Sequence, residues 1–197
     1  MRSIGIIGLG VVGTAVKEGM EHVFRVKWND KDDGGPIFQL VHVVEGPIFV
    51  CVPTPTSRDG LSCDASIVEE VVKEINRAGK FNYKNPVVAI KSTVPAGTTE
   101  RLNRTYPYVD ICFNPEFLTE KNAGNDFKNQ DRIVIGGNGP ACKAVSECYQ
   151  KAYPDVEQVV CSSDEAEMAK YMTNVYLGIK VSAANEFKQI CDGLGIN

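Results

Sequence analysis

Only two histidines, a single tryptophan and no Cys-x-x-Cys pair occur among the 197 residues. Seven cysteines, an odd number with no paired spacing, argue against a disulfide framework and against a zinc site. Several of them sit in apolar runs, where cysteine acts as a small buried hydrophobe. His22 and His42 each fall in or at the end of a helical stretch beside apolar residues and read as structural, not catalytic. No apolar run approaches the roughly 20 residues that span a bilayer. The first residues, MRSIGIIGLG, lack the long apolar region and small-residue cleavage site of a signal peptide. A net charge of -4 gives no electrostatic reason to expect nucleic acid or an anionic membrane as partner. A reducing, cytoplasmic location is therefore expected.

What remains is an ordinary globular composition, 43% hydrophobic and 23% charged, enough for one α/β domain and a short extra element. Short apolar runs alternate with longer amphipathic stretches. Residues 3–8 (SIGIIG) form a β-branched run without a polar face, as for a strand buried on both sides. A helix over 11–22, a strand over 23–29 and a short helix over 37–45 follow. Residues 48–52 make a strand ending at a Pro-Thr-Pro turn, and a helix over 65–78 starts after Asp64, its expected N-cap. Then come a strand over 87–91, a helix from 98 to 104, strands over 109–113 and 132–135, a helix over 141–152 and a strand over 156–160. Such alternation predicts a Rossmann-like, doubly wound parallel sheet. From Ser162 the pattern changes to one long helix. Ser162 with Glu165 makes a capping box, and Gly193 marks the expected end. A helix of roughly 30 residues exceeds the usual globular length and is expected to leave the sheet domain. The expected division is 1–161 and 162–197.

After the first strand stands Gly8-Leu9-Gly10-Val11-Val12-Gly13, a GxGxxG leading into a helix. Gly8 permits the tight turn, Gly10 lets backbone approach a pyrophosphate, and Gly13 lets helix and strand pack closely. The helix N-terminus offers its N–H groups and positive dipole end to phosphates. The acid that completes the pattern is Asp30, about 20 residues further on at the end of the second strand. A carboxylate there accepts from ribose hydroxyls and repels a 2′-phosphate, which favours NAD over NADP. The alternative, a solvated turn in an Asn-Asp-Lys-Asp-Asp cluster, explains the spacing less well.

Three polar segments fall at the carboxyl ends of later strands: 53–56 (PTPT), 92–98 (STVPAGT) and 114–120 (NPEFLTE). Any one of them is explained by turn formation. Three together at the ends of one sheet point to a crevice. On the long helix, Lys170 and Asn174 are spaced i, i+4 and share a face. Met168, Tyr171, Met172, Val175 and Leu177 leave them only a narrow polar strip. A Lys beside an Asn can donate to an oxyanion or a hydroxyl; plain solvation explains the pattern equally well.

The set GLGVVG, CVPTP, KSTVPAGTT, NPEFLTE, DRIVIGG and EAEMAKYMTNVYLGIKVSAANE resembles the UDP-glucose/GDP-mannose dehydrogenase family. The likeness runs in order from Ile4 to about Glu186. The resemblance implies NAD-dependent oxidation of a sugar nucleotide's primary alcohol to the carboxylate in two hydride transfers. It implies that Gly8, Gly10, Val11, Val12, Gly13 and Asp30 hold the ADP half of NAD. Val52, Pro53, Thr54 and Thr93 would line its ribose and nicotinamide side. Thr93 and Glu116 would position the water of the second half-reaction, with Glu116 an acid/base. Phe117, Leu118 and Glu120 would contact the substrate or the nicotinamide. Lys170 and Asn174 would hold the sugar oxygen and stabilise negative charge. It further implies a homodimer through the helix 162–193.

The chain departs from that family's pattern. The nucleophilic Cys expected in a glycine-rich segment beyond the central helix is not found, nor is the UDP-binding domain that follows it. Hence a truncated or incomplete enzyme is expected. Residues 31–46 are shorter than usual and lack a strand and a helix, and Val11 stands where the glycine loop has an aromatic. Two other readings follow from the same residues. One is a single-step dehydrogenase like the 3-hydroxyisobutyrate and 6-phosphogluconate group, against which the NPEFL-x-E segment argues. The other is a non-catalytic NAD-binding or dimerisation module.

Overall fold

The computed structural model describes residues 2–33, 35–58, 60 and 62–196. Seven strands form one sheet: β1 (Ser3–Ile7), β2 (Arg25–Asn29), β3 (Ile48–Val50), β4 (Val87–Ile90), β5 (Asp110–Phe113), β6 (Arg132–Gly136) and β7 (Glu157–Cys161). The helices are α1 (Val11–Met20), α2 (Ile37–Val43), α3 (Ser66–Gly79), α4 (Thr98–Thr105), α5 (Ala123–Lys128), α6 (Gly139–Ala152) and α7 (Ser163–Leu194). The strand order is β2-β1-β3-β4-β5-β6-β7.

Alternation along the strands supplies the two cores. Ile4, Ile6, Phe49, Ala89, Cys112, Ile133 and Ile135 face one side, where α1, α5 and α6 cover them with Val16, Met20, Phe127 and Tyr149. Ile48, Val50, Val88, Ile90, Ile111, Phe113 and Val134 face the other, under Leu40 of α2, Ile75 of α3, Leu102 of α4 and Ala166 of α7. Each fully buried aliphatic side chain contributes about 1.5–3 kcal/mol. This is the doubly wound arrangement expected from the apolar runs.

One part of that expectation is corrected. β1 to β5 pair parallel, but β6 meets β5 antiparallel through Phe113 and Gly136, and β7 then runs parallel to β6. A pattern of apolar runs carries no strand direction. Here the side-chain amide of Asn114 donates to the Val134 carbonyl (2.7 Å) and joins the two strands where only one residue pair is in register. Among the described residues no strand lies outside β2, in keeping with the short 31–46 segment.

Local corrections follow from capping. Asp64 is not the N-cap of α3; Ala65 holds that position, and the Asp64 carboxylate accepts instead from the Ser66 N–H (2.9 Å). The helix α1 stops at Met20, so His22 lies in the turn beyond it, where its ring meets the Ala152 carbonyl (3.2 Å). Helix α5 and the 3-10 turn Glu120–Asn122 were not foreseen from the sequence.

The long helix forms with its capping box: Ser162 Oγ accepts from the Glu165 N–H (3.2 Å), and Glu165 Oε2 accepts from the Ser162 N–H (2.8 Å). Its end is Leu194, not Gly193. Gly195 takes the left-handed conformation (φ 66°) and donates to Asp192, while the Ile196 N–H reaches Cys191. Only Ala166, Glu167 and Lys170 of α7 are buried. Met172, Val175, Tyr176, Ile179, Phe187 and Leu194 are each more than half exposed, so the helix does leave the sheet. No helix among the described residues is long and apolar enough to cross a membrane.

Candidate functional site

The glycine loop divides its work. Gly8 has φ 90°, and a Cβ there would lie 2.7 Å from the Cys51 carbonyl oxygen. A Cβ on Gly13 would lie 1.8 Å from the Gly8 carbonyl oxygen. Both positions are glycine because the fold needs them so. Gly10 differs: its φ is -68° and nothing lies within 4 Å of a Cβ placed there. The open space over Gly10 serves no packing and leaves room for a ligand to approach the backbone. Helix α1 begins at that point with no side-chain cap and no acidic residue in its first turn, leaving its N–H groups open to an anion.

Asp30, at the end of β2, accepts the Leu9 N–H through Oδ2 (2.7 Å). That bond, foremost, holds the carboxyl below its ordinary value. The carboxylate and the glycine loop are thereby one structure. They line a cavity of about 810 Å³ together with Asn29, Ile37, Val52 and Pro53.

A second cavity, about 280 Å³, shares Gly10, Val52 and Pro53 with the first and reaches past Val11, Val12 and Thr54 to Lys91, Thr93, Glu116 and Lys170. Its floor is charged. Lys170 Nζ donates to Glu116 Oε1 (2.5 Å) and to the Glu116 carbonyl (3.2 Å). The Lys170 side chain is 2% exposed and that of Glu116 16%. Glu116 Oε2 accepts the Leu118 N–H (2.8 Å). Burial pushes the Glu116 carboxyl up, but Lys170, the Leu118 N–H and Lys91 outweigh it and leave the group below its ordinary value.

A third cavity, about 510 Å³, shares Thr54 and Thr93 with the second and is lined by Cys63, Tyr171, Asn174 and Val175. Lys170 and Asn174 therefore do not share one pocket. Lys170 points into the charged floor, and the exposed Asn174 borders the neighbouring space, with Thr93 between the two. The other expected contacts are dispersed. Leu118 packs on the core, Phe117 is 41% exposed, and Glu120 is exposed in the 3-10 turn and borders neither cavity.

Two buried charged residues escaped the sequence reading. Glu167 accepts from the Gly97 N–H (2.7 Å), the Thr99 N–H (2.8 Å) and the Thr99 hydroxyl (2.6 Å), fastening α7 to the N-terminus of α4. Burial leaves this carboxyl above its ordinary value. Lys91 is 2% exposed, and its ammonium donates to the Asn114 carbonyl (3.2 Å), Asn114 Oδ1 (3.1 Å) and the Tyr149 hydroxyl (3.4 Å). Burial lowers it to about 8. The available signal for Lys91 was its place, a lysine directly after the apolar run VVAI where the next strand residue should be apolar.

The chain is similar to known proteins over most of its length. The UDP-glucose/GDP-mannose dehydrogenase family's NAD binding domain matches residues 43–153, and its central domain matches 164–197. UDP-glucose 6-dehydrogenase of Rhizobium meliloti (strain 1021) is 36% identical over 160 residues, covering 76% of this chain and 36% of that protein. UDP-glucose 6-dehydrogenase 1 of Arabidopsis thaliana is 33% identical over 171 residues, covering 78% of this chain and 35% of that protein. A solved UDP-glucose dehydrogenase from Pyrobaculum islandicum is 30% identical with a TM-score of 0.87, covering 100% of this chain and 54% of that one. The chain thus spans about a third of the length of these curated relatives.

Proposed function

Because the chain belongs to the UDP-glucose/GDP-mannose dehydrogenase family and carries its NAD-binding domain, we propose that its site serves NAD-dependent oxidation of a nucleotide sugar's primary alcohol toward the carboxylate. The observation that carries this reading is the buried Lys170–Glu116 pair on the floor of a cavity that begins at the glycine loop.

Gly8, Gly10, Val11, Val12, Gly13 and Asp30 would hold the ADP half of the dinucleotide, and Val52, Pro53, Thr54 and Thr93 the ribose and nicotinamide side. The clearance over Gly10 and the carboxylate beside it fit such a ligand. When bound, NAD supplies the hydride acceptor. Lys170 has three N–H donors, and two go to Glu116, which leaves one for a sugar oxygen. Its charge would stabilise the negative charge that develops there, with Asn174 steadying the sugar from the adjoining space. Glu116, ionised beside Lys170, would accept a proton or hold a water with Thr93. Phe117, Leu118 and Glu120 are assigned to the substrate side on sequence likeness alone. The second oxidation needs a thiol that traps the aldehyde; the roles given above to Lys170 and Asn174 concern cofactor-linked hydride transfer from the alcohol.

We further propose that residues 1–161 form the cofactor unit and 162–197 the start of a central helical region that pairs two copies through 162–193. The exposed apolar side chains of α7 support this, and sedimentation of the chain tests it. Seven free thiols accord with a reducing cytoplasm.

Calorimetry with NAD and with UDP-glucose decides the main proposal. Binding of both is expected. NAD binding without sugar-nucleotide binding would favour a non-catalytic NAD-binding and dimerisation module, the reading that the uncovered face of α7 supports; binding of neither would sink both.

A further inference from the structure

The ammonium of Lys91 borders the same cavity as Gly10, Thr93, Glu116 and Lys170, yet among the described residues no carboxylate lies in its hydrogen-bonding shell. Its three partners are neutral: two oxygens of Asn114 and the phenol of Tyr149. The Phe127 ring lies below it at 5.7 Å. Among the described residues the carboxylate nearby is Glu116, which is engaged by Lys170 at 2.5 Å. Two buried cations therefore face one anion, and Lys91 is the cation without a direct counter-charge.

Such a site distinguishes ligands by charge. A second positive charge brought into the cavity raises the cost of an ammonium already short of water and counter-ion, and loss of a proton relieves it. The two redox forms of the dinucleotide carry the same pyrophosphate charges and differ in the ring, since the oxidised nicotinamide is cationic and the reduced ring is neutral. We infer that Lys91 is the residue by which this cavity discriminates between the two forms, the complex with the oxidised dinucleotide holding less proton on Lys91 than the complex with the reduced one. This rests on the reading above that the dinucleotide lies across the glycine loop and this cavity.

The surroundings isolate Lys91 as the responding group. The thiol of Cys51, after β3, is pushed by burial to about 12. Those of Cys112 on β5 and of the Tyr149 phenol on α6 are raised as well, the first by its bond with Cys142 and by burial, the second by burial. All three stay protonated near neutrality. Glu116 stays ionised, paired with Lys170 of α7. Lys91 alone of these has been brought by burial to about 8, where a modest added charge shifts its occupancy. The sign follows: the oxidised form gains affinity relative to the reduced form as pH rises and Lys91 discharges.

Calorimetry of the intact chain with NAD+ and NADH, in two buffers of different ionisation enthalpy, reads the proton directly. About half a proton more released per NAD+ than per NADH near pH 7.5 is expected for a coupling of about tenfold. The ratio of NAD+ to NADH affinity should rise about tenfold from about pH 6.5 to 9.5. Lys91→Met should show equal proton exchange with the two forms and a high, pH-independent ratio. Lys91→Arg, which keeps its charge, should show equal exchange and a low ratio throughout. NADH binding reports that each variant is folded. Equal proton exchange for NAD+ and NADH in the unaltered chain, or an undiminished difference in Lys91→Met, overturns the inference and leaves the cofactor reading intact. Failure of both forms to bind overturns the cofactor reading itself, and the inference with it.

Discussion

Lys170, on the long helix, and Glu116, on the loop after β5, meet at 2.5 Å with side chains 2% and 16% exposed. They are 54 residues apart in the chain, and the contact exists only because α7 is held against the carboxyl end of the sheet. Removing one partner strands the other charge in a dry site. Lys170→Met or Glu116→Gln should each cost about 3–5 kcal/mol, and the double variant should recover much of that loss, as read by denaturant unfolding. Equal and additive losses would mean that the pair is not coupled.

The same pair sets a pH dependence. The Glu116 carboxyl is held below its ordinary 4.5, so its contribution is present above that value and fades as pH falls through the lower folded value. In Lys170→Met the largest remaining influence is burial, which raises the carboxyl. A titration of the Glu116 carboxyl by nuclear magnetic resonance should therefore move upward in that variant.

Gly10 and Gly13 should separate binding from folding. Gly13→Ala forces a Cβ to 1.8 Å from the Gly8 carbonyl oxygen and should destabilise the loop by several kcal/mol. Gly10→Ala meets nothing within 4 Å and has an ordinary φ, so unfolding should be unchanged within about 0.5 kcal/mol. Yet it should weaken NAD at least tenfold, because the methyl fills the clearance over the loop. Unchanged affinity in Gly10→Ala would remove the main support for a phosphate at that loop.

Asp30 is predicted to choose the cofactor. Asp30→Ala should lower affinity for NAD by about tenfold and raise the ratio of NADP to NAD binding, measured by competition. Loss of the Leu9 N–H bond should also loosen the loop, visible as faster amide exchange at Leu9.

Glu167 is predicted to be the anchor of α7. Glu167→Ala leaves the Gly97 and Thr99 donors without partners and should cost about 1–3 kcal/mol for each group left unsatisfied, with faster exchange at both amides. Its pH sign is opposite to that of Glu116. The carboxyl lies above its ordinary value, so its contribution is full below 4.5 and declines as pH rises through the folded value. The stability advantage of the unaltered chain over Glu167→Ala should shrink across that window.

Much of this was legible in the residues themselves. Strand–helix alternation, the glycine loop with its acid, and the capping box of Ser162 and Glu165 are local patterns, because backbone geometry, helix ends and side-chain period act over a few residues. The polar segments that hold Thr93 and Glu116, and Lys170 on its helix face, could be picked out for the same reason, while the choice of Thr93 and Glu116 within them came from the family resemblance.

Other features are not local. The antiparallel pairing of β6 with β5 brings Asn114 to Val134 from 20 residues away, and the engagement of Asp30 needs the Leu9 N–H to come to it across the β1–β2 pair. Nothing in the sequence spacing told that Lys170 would be buried and Asn174 exposed in the next pocket; the docking of α7 through Glu167 decided that. Lys91 shows the same division. The sequence by itself determined that a lysine follows the strand VVAI. Only the tertiary structure, by closing Tyr149, Asn114 and Phe127 around it, removed its water and made its charge depend on what enters the cavity.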